Sequence, residues 1–276
     1  MLTGASLSCF ELQSLPSETL TQLNRIARNT DKRFRSLPRL RTPLPSLEEL
    51  QKKSWPSDYV VMARGPSFFR KDYVSKLKLA REMGHKFALI CADGVAAPCL
   101  AAGLIPSLIV TADPSIRILR WFGDVTGVTD EDEYFLKDRD SPKDSKVLLP
   151  REYVVELFDS YGQDLKVAVN VFTNPEVLKR LKRIGAELYA YLPMSEDGVF
   201  MKELWNSYPD YIAVNAGGNV GTCSYTIAQF LGAKRIGLAG FDFGYPPGTP
   251  LEETQYFDMI QSHPELAERM FSKVHN

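Results

Sequence analysis

Small residues that suit phosphate binding follow one of the short apolar runs of this sequence. The run YIAV leads into NAGGNVGTCS, residues 215–224, where three glycines precede a helix-like pattern. Small residues between a strand and a helix let backbone N–H groups and the positive end of the helix dipole approach an anion. They also occur where two elements pack closely. The stretch therefore predicts either an anion site or a tight contact.

A second stretch of this kind, Arg64-Gly65-Pro66-Ser67, follows the run DYVVMA. Neither stretch is a P-loop, because the chain has no Gly-Lys-Ser/Thr, and neither contains the complete G-x-G-x-x-G fingerprint. Two such turns at one edge of a sheet favour a nucleotide phosphate as the ligand. The predicted ligand-binding residues of the two turns are Gly65, Pro66, Ser67, Asn215, Gly217, Gly218, Asn219, Gly221 and Thr222.

Aspartates follow three of the predicted strands. Asp93 comes after KFALICA, Asp113 after SLIVTA and Asp242 after KRIGLAGF. Each could cap a turn or a helix, as aspartate commonly does. Each could also hold Mg²⁺ beside a phosphate. No histidine follows a predicted strand, which argues against a Ser-His hydrolase site.

The elements that would position these residues alternate along the chain. Short apolar runs with β-branched residues are separated by helical patterns, which predicts βαβ units. We therefore expect an α/β fold of the Rossmann-like type, with a doubly wound, mostly parallel sheet and helices on both faces. Ligands of such folds bind outside the carboxyl ends of the strands. The predicted strands are DYVVMA, KFALICA, SLIVTA, LKVAVNV, AELYAYL, YIAVNA and KRIGLAGF.

Three segments are predicted from the changes in composition. Residues 1–54 form an N-terminal helix and a proline-rich leader, residues 55–245 the α/β nucleotide-binding core, and residues 246–276 a proline-rich turn and a helix. The core contains an acidic insertion, 123–146, for which we predict either a surface insertion or a lid. The leader contains a basic cluster, 32–41, for which we predict either a solvated face or a contact for an acidic partner.

Composition narrows the class of protein. The chain has 276 residues, a net charge of -1 and a pI near 6.3. Its overall charge therefore gives no reason to expect nucleic acid as a partner. Four cysteines without a C-x-x-C pair and three histidines argue against structural zinc and a disulfide framework. No apolar run reaches the length of about 18 residues that a membrane span needs, and the first residues lack the basic-then-apolar order that is typical of a signal peptide. We expect a cytoplasmic protein that acts on small molecules, with homo-oligomer formation left open.

The run CADGVAAPCLAAGLIPSLIVTADPS resembles a signature shared by thiamin pyrophosphokinases and the 6-hydroxymethylpterin diphosphokinase MptE-like family. The ARGPS turn before it and the GGNVG…LGAKRIGLAGFDFGY run after it also resemble that family, so the resemblance covers about residues 57–245. It implies Mg²⁺-dependent transfer of diphosphate from ATP to a hydroxymethyl group on a heterocycle. The two glycine turns would then cradle the nucleotide phosphates.

The same resemblance assigns roles to the aspartates. It implies Asp93 and Asp113 as catalytic residues that orient metal or nucleotide, with Asp113 as the metal ligand. Asp93 would also contact the nucleotide, and Asp242 would close the binding site. Catalysis would then consist mostly of positioning and charge neutralisation, as in other phosphoryl transfers.

Two departures from the pyrophosphokinase pattern favour an alternative. Ala112-Asp113-Pro114 stands where those enzymes carry D-x-D, and uncharged Thr222-Cys223-Ser224 stands where the pterin enzymes carry D-G-D. Both features are more similar to the motility accessory factor branch, whose members resemble sialyltransferases and are thought to handle nonulosonic acids carried on CMP. That branch implies a CMP-sugar glycosyltransferase, in which a metal is not required. A non-catalytic nucleotide-binding module is the second alternative.

Overall fold

A single parallel sheet of seven strands organises the chain. The structure, a computed structural model, describes residues 43–114, 116–124, 149–194, 198–217, 219–244 and 248–250. Its strand order is β6-β5-β4-β3-β2-β1-β7, and every neighbouring pair is parallel. The strands are β1 Asp58–Met62, β2 Ala88–Ala92, β3 Leu108–Thr111, β4 Lys166–Asn170, β5 Glu187–Pro193, β6 Ala213–Val214 and β7 Arg235–Ala239.

Helices cover both faces of this sheet. Successive residues of β3 point to opposite faces, so Ile109 joins the apolar cluster of one face while Leu108 and Val110 join that of the other. All residues of β2 and β3 are buried, as expected for strands covered on both sides. The described α-helices are α1 Leu47–Gln51, α2 Pro66–Arg70, α3 Tyr73–Glu82, α4 Asp93–Ala101, α5 Arg151–Tyr161, α6 Pro175–Arg183, α7 Gly198–Ser207 and α8 Val220–Phe230.

Each face has its own apolar cluster. Phe122, Phe158 and Leu181 bring a 3₁₀ helix (Ile116–Phe122), α5 and α6 together on one face. Leu50 of α1 and Ile227 of α8 pack on the other face. These layers confirm the predicted Rossmann-like α/β fold with helices on both faces. None of the helices in the described ranges is both long and apolar enough to cross a membrane.

The strand order contains one long crossover, and it determines where a site can form. From β1 to β6 the chain adds one neighbouring strand at a time, and it then returns through α8 to place β7 on the far side of β1. Helix α8 crosses the sheet in contact with β1, β2 and β3. The carboxyl ends of β1 and β7 thus lie side by side where the direction of winding reverses. Such a switch point is the usual ligand site of an open α/β sheet.

The predicted leader reaches into the core at its last residues. Ala190 of β5 donates its N–H to the carbonyl of Pro45 at 2.7 Å. The Ser46 hydroxyl caps α1, and Leu47 and Leu50 are completely buried. The domain boundaries at 54 and 245 stay predictions. Outside the described residues lie the basic cluster 32–41, the acidic insertion from 125 onward and the C-terminal helix beyond 250.

We predict that Leu50→Ala destabilises the core by about 2–5 kcal/mol, because it deletes a buried side chain and leaves a cavity. Leu79→Ala is the control, since Leu79 is 55% exposed on α3 and should change stability by less than about 0.5 kcal/mol. Urea unfolding followed by circular dichroism measures both. Equal stabilities of the two variants would show that residues 43–54 are not part of the core.

Candidate functional site

The ends of β1 and β7 are joined by backbone hydrogen bonds beyond the sheet itself. Ala63 N–H donates to the Ala239 carbonyl and Gly65 N–H to the Gly240 carbonyl, both at 2.9 Å. A Cβ added at Gly65 would lie 2.5 Å from the Asp242 carboxylate. Only glycine permits this approach. Gly65 therefore serves the contact between the two strand ends, and its predicted role toward a ligand stays a prediction.

Asp242 binds the Gly65-Pro66-Ser67 turn, for which the sequence predicts a phosphate ligand. Its carboxylate accepts the Ser67 N–H at 2.8 Å, in the first turn of α2, which Pro66 begins. A carboxylate suits this position because the first N–H groups of a helix lack partners within the helix. The anion at the Gly65-Pro66-Ser67 turn is thus the protein's own. A ligand phosphate at this turn would have to compete with Asp242.

The start of α8 is likewise closed by its own side chains. The Asn219 side chain accepts the Thr222 N–H at 3.0 Å, as an N-cap residue does. The Asn215 side chain accepts the Gly217 N–H at 2.9 Å, and the Thr222 hydroxyl donates to the Ala216 carbonyl at 2.5 Å. These contacts account for Asn215, Asn219 and Thr222 by local geometry. Their predicted contact with a nucleotide stays a prediction.

The glycines of this turn have different roles. Gly217 has φ +55°, the left-handed conformation that glycine adopts without strain. Gly221 is buried, and a Cβ there would lie 3.0 Å from the Ala63 Cβ and 3.3 Å from the Phe241 ring. Gly221 thus lets α8 pack against the ends of β1 and β7. Gly218 lies outside the described residues.

Asp93 is a buried carboxyl at the end of β2 and the start of α4. It is 5% exposed, and its Oδ1 accepts the Gly94 N–H at 2.7 Å. Burial raises the pKa of Asp93 to about 6, and the charge of Asp113 adds to the rise. The Thr111 hydroxyl, the Gly94 N–H and the Arg64 guanidinium oppose it. A carboxyl poised near neutral pH beside charged partners is typical of functional sites.

The second oxygen of Asp93 lacks a well-placed partner. The Thr111 hydroxyl is near enough to lower the pKa of Asp93, yet Asp93 Oδ2 and Thr111 Oγ1 do not meet hydrogen-bond geometry with each other or with any other described residue. A hydrogen bond depends steeply on angle, so proximity alone does not form one between these two atoms. Two buried polar atoms left unpaired side by side are costly to fold, and such atoms mark functional sites.

A guanidinium group lies beside this carboxyl. Arg64 Nε donates to the Gly94 carbonyl at 2.9 Å, and its guanidinium carbon lies 4.7 Å from the centre of the Trp121 ring. Arg120 lies over the same ring at 4.3 Å. Sequence reasoning assigned no role to these three residues. Arg64 could have been found from its place directly after the predicted strand DYVVMA, but no sequence signal places Trp121 beside Gly94.

Asp113 follows β3 and is exposed, so it offers a carboxylate that a ligand can reach. Mg²⁺ usually takes one or two carboxylates together with phosphate oxygens and water. Asp93 is a poor second ligand, because its unpaired oxygen is buried. Within the described ranges no three acidic, histidine or cysteine side chains gather in a way that could hold a metal. The assignment of Mg²⁺ to Asp113 therefore stays a prediction.

Two buried hydrogen bonds connect the end of β3 to β5 and α8. The Tyr191 hydroxyl donates to the Thr111 carbonyl at 3.1 Å, and the Cys223 thiol donates to the Tyr191 oxygen at 3.3 Å. Burial raises the pKa of Cys223 to about 11, so its thiol is protonated and unreactive at neutral pH. These contacts connect β5 and α8 to Thr111. Cys223 is therefore a structural residue of the turn.

Two cavities of the described chain lie away from the carboxyl ends of β1, β2 and β3. One, of about 650 Å³, lies between Pro43 and Tyr211 and is lined by the acidic residues Glu48, Glu49 and Asp210. The other, of about 600 Å³, lies at the ends of α5 and α6. The acidic lining of the first would repel a nucleotide. We therefore place the candidate site at the carboxyl edge of the sheet.

We predict that Asp93→Asn is more stable than the unchanged protein at pH 8 and loses this advantage near pH 4. The raised pKa means that the native state holds a proton more tightly than the unfolded state, so stability falls as pH rises from about 4 to 6. A shift of this size corresponds to about 3 kcal/mol at pH 8. Scanning calorimetry in EDTA measures it, with Asp210→Asn as the exposed control. A variant that is less stable at pH 8 would contradict this assignment.

One solved structure with low sequence identity resembles much of this chain. No protein-family model matches the chain, and no curated protein matches it. The solved structure of MAf glycosyltransferase from Magnetospirillum magneticum AMB-1 is similar to 72% of this chain, with 13% sequence identity and a TM-score of 0.44. The similar region covers 25% of that chain. This chain thus corresponds to about a quarter of the length of that enzyme.

Proposed function

We propose that the chain is a nucleotide-sugar-dependent glycosyltransferase with its site at the carboxyl edge of β1, β2 and β3. One observation carries the proposal: Asp93 and Arg64 both bind Gly94, at 2.7 Å to its N–H and 2.9 Å to its carbonyl, and Asp113 lies near enough to raise the pKa of Asp93. Three neighbouring strand ends therefore bring a cation, a buried carboxyl and an exposed carboxylate within electrostatic range. Such a set can bind a phosphate and take up a proton, which is what sugar transfer from a nucleotide requires.

Arg64 is the residue proposed to bind the nucleotide phosphate. Its guanidinium is held by the Gly94 carbonyl and the Trp121 ring, so little freedom is lost when a ligand binds. Guanidinium groups match phosphate oxygens in a two-point contact and stay charged at all relevant pH values. The same charge would stabilise the phosphate as it leaves the sugar. The guanidinium carbon of Arg120 lies 4.3 Å from the centre of the same ring, so Arg120 adds a second positive charge nearby.

Asp113 is the proposed general base. It is exposed, whereas the unpaired oxygen of Asp93 is buried and out of reach of a substrate. The acceptor hydroxyl would attack the anomeric carbon and pass its proton to Asp113, while the bond from that carbon to the phosphate oxygen breaks. The nucleoside monophosphate departs with the electron pair. Asp93 is a positioning residue in this scheme, because it holds Gly94 and through it Arg64.

One observation favours the alternative function, a diphosphokinase. Asp93 and Asp113 interact electrostatically, so two carboxyl groups share the edge, as a phosphoryl-transfer enzyme requires. In that function ATP would be the co-substrate, and Asp113 would hold Mg²⁺ together with phosphate oxygens. The glycosyltransferase is preferred because Asp113 is the one aspartate of this pair that a ligand can reach. A nucleotide-binding module without catalysis would need only Arg64.

We predict that CMP raises the melting temperature of the protein with or without Mg²⁺. A ligand at a concentration of 100 Kd stabilises a protein by about 2.7 kcal/mol, which a thermal shift detects readily. A shift with ATP that requires Mg²⁺ would favour the diphosphokinase instead. A protein that binds CMP but transfers no sugar from a CMP-sugar to a panel of acceptors would be a binding module. If neither nucleotide shifts the melting temperature, the proposed site is wrong.

Arg64→Met should weaken CMP binding by about 10- to 100-fold, because a hydrogen bond between charged partners contributes about 1.5–3 kcal/mol. Arg70→Met is the matched control, since it removes an equal charge from an exposed residue of α2. Isothermal titration calorimetry compares the two variants. Equal losses in both would show that only net charge matters and would exclude a specific contact with Arg64.

A further inference from the structure

Phe243 is an exposed aromatic residue with an unusual backbone conformation. Its side chain is 78% exposed, and its backbone has φ +53°. A left-handed conformation is disfavoured for any residue with a Cβ and is rare for an aromatic one. Gly244, the next residue, could have adopted this conformation without strain. Strained residues concentrate at functional sites, where surrounding contacts hold them in place.

The residues before Phe243 hold it firmly at the site. Phe241 packs against the apolar cluster of α8 and lies close to Gly221. Asp242 is tied to the Ser67 N–H at 2.8 Å. The Phe243 ring lies 5.9 Å from the Phe241 ring at an interplanar angle of 56°. An exposed aromatic face is therefore presented where β1, β7 and α8 meet.

We infer that Phe243 stacks on the base of the bound nucleotide, which rests on the proposed function and extends it. Phe243 follows β7 and Arg64 follows β1, and these two strands are neighbours in the sheet. A flat apolar ring and a guanidinium on two neighbouring strand ends fit the two halves of a nucleotide, one aromatic and one anionic. Stacking on an aromatic side chain accepts any base and strengthens binding by about tenfold or more. The ring therefore supplies affinity for the base, while Arg64 supplies affinity for the phosphate.

Phe243→Gly tests this inference, because glycine removes the ring and also the backbone strain. The melting temperature of the variant should be unchanged or higher, whereas its affinity for CMP should fall by about tenfold or more. Phe243→Tyr should bind CMP as the unchanged protein does, since the aromatic face is kept. Leu238→Ala is the control for an exposed apolar side chain, because Leu238 is 49% exposed on the neighbouring strand β7.

Inorganic pyrophosphate separates the two halves of the ligand. Phe243→Gly should bind it as the unchanged protein does, since it has no base, whereas Arg64→Met should bind it less well. A lower melting temperature of Phe243→Gly with full CMP affinity would show that the ring packs on another part of the chain, and would overturn the inference alone. An unchanged protein that binds neither CMP nor ATP would overturn the proposed function together with it.

Discussion

The close approach of the ends of β1 and β7 is the constraint on which the rest of the site depends. Gly240 has φ +71°, and a Cβ at this position would lie 2.0 Å from the carbonyl oxygen of Ala63. The hydrogen bond from Gly65 to Gly240 fixes the turns after both strands. Because β7 is far from β1 in sequence, only the long crossover through α8 allows this contact. It brings Asp242 and the aromatic residues around it to the turn that begins with Arg64.

The helix starts at this edge differ from the simple phosphate cradle of other α/β folds. The Asp242 carboxylate occupies the first turn of α2, the Asn219 side chain caps α8, and Asp93 itself begins α4. The dipoles of these helices are thus already satisfied by groups of the protein. In the proposed function an incoming anion would find its positive charge on arginine side chains. Recognition of the phosphate would then depend on how firmly Gly94 and Trp121 hold Arg64.

The sequence predicts the sheet well, because each buried strand is a short apolar run and each helix follows it at the expected spacing. It predicts less of the site. The pairing of Asp242 with Ser67 depends on the position of β7 in the sheet, which local patterns do not reveal. Trp121 belongs to a 3₁₀ helix just before a polar segment, so nothing local relates it to Arg64. The burial of Leu50 has no clear signal in the sequence either, because the nearby prolines predict a proline-rich leader outside the core.

For the glycine-rich turn before α8 the sequence predicts either an anion site or a tight contact, and most of its glycines serve turn geometry and close packing. Gly217 provides a left-handed turn and Gly221 a close contact with the end of β1, so two of its three glycines are explained without a ligand. What relates the turn to function is its position, because α8 packs against the same strand ends that carry Arg64 and Asp242. Its tight packing fixes those ends. In the proposed function the turn would contribute to a nucleotide site by holding the strand ends in place, while charged side chains on the neighbouring turns would make the contacts.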